Sequence, residues 1–216
     1  MPELFLYVSG ITNLHDARLT VKLGAHAVGF TFFEHDSRYV SPEHAANIGS
    51  HLPEFVSKIG LFVNASQRYI LDVARHANLS AVQLYGTEGP DDLVSYDISV
   101  IKAFRVHPAF EVERMKNFVV DAFLLDALSE GSFGEGAGLF HWNVAVKAKE
   151  YGRVILSGGL DPNNVAAAVQ FVQPYGVEVN AGVESSPGKK DPDKLRDFIA
   201  NARNASVVSA MEGYVG

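Results

Sequence analysis

Eight short runs of apolar residues recur along the chain, at intervals of about 20 to 30 residues. Most are rich in Val, Ile and Phe and do not alternate strictly between apolar and polar positions. This pattern is typical of parallel strands that are buried on both faces. It predicts eight strands, at residues 4–9, 27–33, 58–63, 80–85, 98–104, 122–127, 153–158 and 176–182.

Amphipathic segments with helix-start signals lie between several of these runs. Ser41 is suited to an N-cap, and Pro42 follows it at the first helical position, where proline is favoured. Two later segments both begin with the dipeptide Asp-Pro, which is again a helix-start signal. The pattern predicts helices at residues 12–24, 41–48, 161–172 and 191–202.

Strands and helices that alternate in this way predict an α/β protein with a parallel sheet. Eight strands and about eight helices in 216 residues favour a single (β/α)8 TIM barrel over residues 1–216. The alternative is an open doubly wound sheet, which usually carries a glycine-rich turn after its first strand. Residues 9–12, "SGIT", are not such a turn.

Composition narrows the class of protein further. The formal net charge of −7 argues against a nucleic-acid partner, because proteins that bind nucleic acid normally carry a basic surface patch. No apolar stretch approaches the length of a membrane span, and the N-terminus does not resemble a signal peptide. The chain has no cysteine, and its eight histidines show no metal-ligand spacing. We therefore expect a cytoplasmic protein with no membrane partner and no metal.

Glycine-rich loops follow the seventh and eighth predicted strands, as "LSGGL" (156–160) and "NAGVESSPGKKD" (180–191). In a barrel, the loops after these two strands often build a phosphate site, because glycines let backbone N–H groups approach an anion. Each loop alone is equally compatible with a tight turn. Together they favour a phosphorylated small molecule, and the predicted donors are the amides of Gly158, Gly159, Ala181 and Gly182.

Three side chains at predicted strand ends are candidates for chemistry. Asp126 ends the run "AFLLD" and suits a general acid, the alternatives being a helix cap or a loop salt bridge. Arg38 follows the second strand and could bind a carboxylate or phosphate, or form a surface ion pair. Ser9 has no base beside it in sequence, which does not favour a nucleophile. The long segment 128–142 is expected to be a mobile lid or plain disorder.

Several blocks together resemble the phosphoribosylanthranilate isomerase family over about residues 4–202. They are "SGIT", "GAHAVGFTFF", "SRYVSPE", "GLFVN", "VQLYG", "LLD", "LSGGL" and "GVESSPGKKD". The resemblance implies an Amadori rearrangement of an aminoaldose phosphate to an aminoketose phosphate in tryptophan biosynthesis, without a cofactor. It also implies that Asp126 protonates the ring oxygen, that Arg38 faces the anthranilate end, and that the two glycine loops hold the phosphate.

The departures from the family pattern cluster at the expected reaction centre. The family's cysteine base, lysine, histidine and strand-8 aspartate are here Ser9, Tyr7, Tyr85 and Glu178, and its lid lysine and aspartate are Gly138 and His141. We expect Tyr7, Tyr85 and Glu178 to contact the substrate.

Ser9 is a far weaker acid than a thiol, and general base catalysis contributes about 10²- to 10⁴-fold. The pattern thus predicts a weakened isomerase that is a monomer or homodimer. The alternatives are an isomerase of a different phosphorylated aminosugar, or a non-catalytic barrel that binds a sugar phosphate.

Overall fold

The structure, a computed structural model, describes residues 3–93, 96–126 and 137–212. Eight parallel strands pair in chain order, and the first also pairs with the last, so that the sheet closes into a barrel. This closure confirms the predicted (β/α)8 barrel and excludes the open sheet. The strands are β1 Phe5–Val8, β2 Ala27–Thr31, β3 Ser57–Phe62, β4 Ala81–Leu84, β5 Ser99–Arg105, β6 Ala122–Asp126, β7 Val154–Ser157 and β8 Gly176–Val179.

A short antiparallel hairpin follows the barrel strands, and helices fill most of the connections between strands. The hairpin consists of β9, Glu184–Ser186, and β10, Lys189–Lys190. The helices are α1 Leu14–Lys22, α2 Pro42–Ser50, α3 Gln67–His76, α4 Ala137–Ala148, α5 Val165–Val172 and α6 Pro192–Glu212.

The described ranges contain six α-helices, where about eight helices were expected over the whole chain. After β4 and β5 the chain forms 3₁₀ turns instead, at Pro90–Leu93 and Val112–Asn117. These segments have four and six residues. The costly first turn of an α-helix is therefore not repaid by further hydrogen bonds.

The helix starts follow the sequence signals in three of four cases. Asn13 and Ser41 accept hydrogen bonds from the N–H groups of the residues three positions on. Asp191 accepts from the N–H groups of Asp193 and Lys194 at the start of α6. Asp161, by contrast, closes a separate turn through the N–H groups of residues 163 and 164. Helix α5 consequently begins at Val165, later than predicted.

Two apolar layers surround the strands, and the inner one stops below the mouth of the barrel. The interior is filled mainly by small and β-branched side chains, among them Ala27, Ile59, Ala103 and Ile155. Side chains alternate along a strand, so positions two residues further on point inward at the C-terminal ends. On five of the eight strands this position carries a buried polar side chain, and these residues are Ser9, Gln83, Asp126, Ser157 and Glu178.

Candidate active site

Glu178 is the centre of a buried hydrogen-bonded group at the C-terminal mouth of the barrel. The Ser9 hydroxyl donates to Oε1 of Glu178, and the Ser157 hydroxyl donates to Oε2. Only 5% of Glu178 is exposed. Burial raises the pKa of Glu178, and the charge of Asp126 adds to this effect, while the serine hydrogen bonds and Lys190 oppose it. Glu178 therefore holds a proton more readily than an ordinary glutamate.

Asp126 lies at the end of β6, one strand removed from β8 in the closed barrel, and is also buried. The hydroxyl of Tyr85 donates to Oδ2 of Asp126 over 3.1 Å. Burial, with the charges of Asp126 and Glu178, raises the pKa of Tyr85 well above its ordinary value. Tyr85 thus remains a hydrogen-bond donor and fixes the orientation of the Asp126 carboxyl group.

Two polar side chains lie beneath the mouth without a hydrogen-bond partner among the described residues. They are the hydroxyl of Tyr7 and the side-chain amide of Gln83, both fully buried. Burial, with the charge of Glu178, raises the pKa of Tyr7 well above its ordinary value. A Cβ atom at Gly29 would lie 2.5 Å from the Tyr7 oxygen, so glycine provides the space for this ring. Buried polar groups are normally paired, so these two side chains are exceptions within the described part of the chain.

Gln83 and Gly29 are members of the site that the sequence reasoning missed. Gln83 did carry a signal, because it is the one polar residue inside the strand Ala81–Leu84. Gly29 carried none, since a glycine within a strand does not reveal which ring will occupy its space.

The two glycine loops, which follow β7 and β8, lie against each other. Gly158 and Gly159 have φ values of +82° and +65°, which favour glycine. A Cβ atom at Gly182 would lie 1.9 Å from the carbonyl oxygen of Leu160, so the loops meet there. The loop that carries Gly158 and Gly159 thus meets the loop that carries Ala181 and Gly182, and the role of these four residues as phosphate donors stays a prediction.

Arg38 lies at the rim of the mouth and is bound to Glu184 of the hairpin. Its Nε and Nη2 donate to the two carboxylate oxygens over 2.9 and 2.6 Å. Lys190 donates to the same carboxylate over 3.1 Å, and also to the backbone and side-chain oxygens of Asn180. Although burial acts to raise it, these two cations lower the pKa of Glu184. Substrate binding by Arg38 stays a prediction, since the structure gives its fork a protein partner.

The predicted lid, residues 128–142, falls largely outside the described residues. Helix α4 includes the last positions of this segment, from Ala137 onward, and Gly138 is among them. The side chain of His141 lies outside the described part of the structure.

Neither a cluster of metal-ligand side chains nor a membrane-spanning helix is found in the described parts of the chain. Within residues 3–93, 96–126 and 137–212, no three His, Asp or Glu side chains converge on a possible metal position. None of the described helices is both long enough and apolar enough to cross a membrane.

The closed parallel barrel, with acidic, serine and tyrosine side chains gathered at its C-terminal mouth, defines the class of (β/α)8 barrel enzymes. A family model described as N-(5'-phosphoribosyl)anthranilate (PRA) isomerase matches residues 6–201. The chain belongs to this family, which confirms the resemblance read from the sequence blocks.

Individual relatives agree with the family model. The chain is 47% identical over 201 residues to N-(5'-phosphoribosyl)anthranilate isomerase of Citrifermentans bemidjiense, covering 93% of this chain and 98% of the relative. The crystal structure of phosphoribosyl anthranilate isomerase from Thermotoga maritima superposes with a TM-score of 0.85 at 42% identity, covering 93% of this chain and 99% of that one.

A further crystal structure of this kind of isomerase contains reduced 1-(o-carboxyphenylamino)-1-deoxyribulose 5-phosphate. It superposes with a TM-score of 0.82 at 40% identity, and covers 93% of this chain and 99% of that one.

Proposed function

We propose that this chain isomerises phosphoribosylanthranilate in tryptophan biosynthesis, as a cytoplasmic monomer or homodimer. The observation that carries the proposal is the pair of buried carboxyl groups at the mouth, Asp126 and Glu178, beside two touching glycine loops. Membership of the isomerase family supports the same substrate. So does the solved relative that contains a reduced deoxyribulose phosphate.

The proposed route needs an acid and a base but no redox cofactor, because each of its steps is a proton transfer or the cleavage of a C–O bond. A proton delivered to the ring oxygen breaks the C1–O bond, and the electron pair of the nitrogen forms an iminium ion. A base then removes the C2 proton, and the electron pair of that bond neutralises the nitrogen. The resulting enol returns to a ketone at C2, which completes the rearrangement.

Asp126 supplies the proton to the ring oxygen in this proposal. It is buried at a strand end, and its carboxyl group is oriented by Tyr85, whose hydroxyl remains protonated. A group held in one orientation loses little entropy when it transfers a proton, which favours acid catalysis.

The phosphate of the substrate binds between the loops after β7 and β8. The backbone N–H groups of Gly158, Gly159, Ala181 and Gly182 donate to its oxygens, so no charged side chain is required. The short 3₁₀ turn Ala181–Val183 begins at this position. The remainder of the substrate then extends from the phosphate across the mouth, toward Asp126 and Glu178.

Turnover of phosphoribosylanthranilate by the purified chain tests this function, with the aldose and ketose separated by chromatography. Replacing the acid by Asp126→Asn should lower kcat by about 10²-fold or more, with a smaller change in KM. The matched control is Asp121→Asn, which lies before the same strand at the far end of the barrel and accepts a hydrogen bond from the Val100 N–H group. It should leave kcat within a few-fold of the parent.

Two results would contradict the proposal. A parent chain that converts no phosphoribosylanthranilate would exclude this substrate, and favour another phosphorylated aminosugar or a binding role. Full activity of Asp126→Asn would place the acid elsewhere in the mouth.

A further inference from the structure

Ser9 stands where the family pattern has a cysteine base, and a serine hydroxyl alone is a poor base. At neutral pH a free thiol is ionised to a few per cent, whereas an alcohol is not measurably ionised. On sequence grounds the base is therefore missing. The structure supplies a group that the sequence pattern did not connect to Ser9, the carboxylate of Glu178.

The contact between Ser9 and Glu178 is fixed from both sides. The backbone N–H of Ser9 donates to the carbonyl oxygen of Val179 over 3.0 Å, which holds Ser9 against β8. The Ser9 hydroxyl donates to one carboxylate oxygen, and Ser157 occupies the other. Both members of the pair are buried, Ser9 with 1% and Glu178 with 5% of its surface exposed. The geometry is that of a hydroxyl oriented by a base.

Resting on the proposed function, we propose that Ser9 and Glu178 form a proton relay that replaces the missing cysteine. Ser9 Oγ takes the proton from C2 of the substrate, and its own proton passes to Oε1 of Glu178. One C–H bond and one O–H bond break while two O–H bonds form, and the C–H electron pair neutralises the iminium nitrogen. Ser9 is the catalytic residue, and Glu178 acts through it as the final proton acceptor.

The charges around Glu178 suit this role. Burial, and then the charge of Asp126 on β6, favour the protonated carboxyl group of Glu178, while the two serine hydroxyls and then Lys190 on β10 favour the carboxylate. Tyr7 and Tyr85 also face the pair but stay neutral, because burial raises the pKa of each well above its ordinary value. A carboxylate whose pKa is raised accepts a proton more readily than an ordinary carboxylate.

The two departures from the family pattern are in contact, which supports a single compensated change. The cysteine has become Ser9, and the strand-8 aspartate has become Glu178, whose side chain is one methylene group longer. The relay also changes the expectation of a weakened enzyme, since it gives the chain a working base.

Three variants test the relay in the full-length protein with phosphoribosylanthranilate. Glu178→Gln keeps the shape of the side chain but cannot accept a proton, so kcat should fall by about 10²- to 10⁴-fold. The acid limb of the pH profile of kcat/KM should disappear, and the kinetic isotope effect with C2-deuterated substrate should increase. A purely structural role would change neither. Ser9→Ala should show the same loss of kcat. It therefore still tests the relay if the Glu178→Gln variant folds poorly.

Ser9→Cys separates the relay from a missing base. If the base is missing, the thiol should raise kcat by about 10²- to 10⁴-fold. If the relay operates, kcat should stay within about tenfold of the parent, because the neighbouring carboxylate opposes formation of a thiolate.

Ser157→Ala removes the other hydrogen bond to Glu178 and leaves Ser9 in place. Because this hydrogen bond lowers the pKa of Glu178, the variant should move the acid limb of the kcat/KM profile to higher pH, and an acid limb that does not move would contradict the assignment of that limb to Glu178.

The outcomes keep the relay and the proposed function apart. A parent that turns over substrate, with a Glu178→Gln variant that retains its activity and acid limb, overturns the relay alone. A large gain from Ser9→Cys overturns it as well. A parent without turnover overturns both the function and the relay.

Discussion

The contact between the two glycine loops allows a prediction from a single added methyl group. In Gly182→Ala the new Cβ atom would lie 1.9 Å from the carbonyl oxygen of Leu160. Real Cβ atoms essentially never approach another heavy atom closer than 3.0 Å. The nearest atoms, from Leu160 and Asp161, all belong to the backbone, so no flexible side chain can move aside. The two loops must separate by about 1 Å.

A separation of this size is decisive for a phosphate held by both loops. A hydrogen bond of about 2.9 Å that lengthens by 1 Å is no longer formed. Hydrogen bonds to charged groups contribute about 1.5–3 kcal/mol each. Because about 1.4 kcal/mol corresponds to a factor of ten, the loss of one such bond should weaken phosphate binding about 10- to 150-fold.

The assay is competitive inhibition by inorganic phosphate, together with KM for phosphoribosylanthranilate and the Tm. Gly89→Ala is the matched control, since its Cβ atom would have its nearest contact at an ordinary 3.6 Å. Phosphate affinity of a folded Gly182→Ala variant within twofold of the parent would refute the reasoning, and the anion would then bind elsewhere.

Two further predictions concern buried charges. The raised pKa of Glu178 means that the folded state binds an extra proton between the usual glutamate pKa of about 4.3 and the raised value, so stability falls as pH rises through this window. Glu178→Gln should therefore have a higher Tm than the parent at pH 8, with the difference vanishing near pH 4. Lys190→Met removes the buried hydrogen bonds of this ammonium group to Glu184 and Asn180, while Arg38 still pairs with Glu184. It should cost about 1.5–3 kcal/mol, measured by urea unfolding, whereas exposed Lys189→Met should cost almost nothing. Equal unfolding midpoints for these two lysine variants, or a Tm difference independent of pH, would contradict the burial argument.

Much of the fold was predictable because each barrel strand is buried on both faces. Such strands produce dense apolar runs in the sequence. The ends of the eight predicted runs lie within two residues of the observed strand ends, except at the C-terminal end of the eighth run. The segments after β4 and β5 leave no helical periodicity, and they form 3₁₀ turns. Helix α6 continues to Glu212, beyond the predicted residue 202, because no glycine or proline interrupts it.

The positions of the site residues were predictable, but their contacts were not. Asp126 and Ser9 could be placed at strand ends, because the apolar runs stop there. Two contacts depend on how distant segments of the chain pack together. Ser9 donates to Glu178, and Arg38 binds Glu184, so its guanidinium group is already paired. Gln83 shows the same limit, since only the folded barrel reveals that its amide has no partner among the described residues.

The pairing of β1 with β8, which closes the barrel, has a consequence for when the chain becomes active during its synthesis. Ser9 and Glu178 are 169 positions apart, so one half of the relay leaves the ribosome long before the other. Contacts between such distant positions form late in folding, because the intervening chain must first be ordered. In the proposed mechanism, a partly folded chain in which β8 has not yet paired with β1 holds the acid Asp126 but lacks the contact between Ser9 and Glu178. Proton abstraction by the proposed relay would then begin only when β1 and β8 pair, so it would report on a closed barrel rather than on a collapsed one.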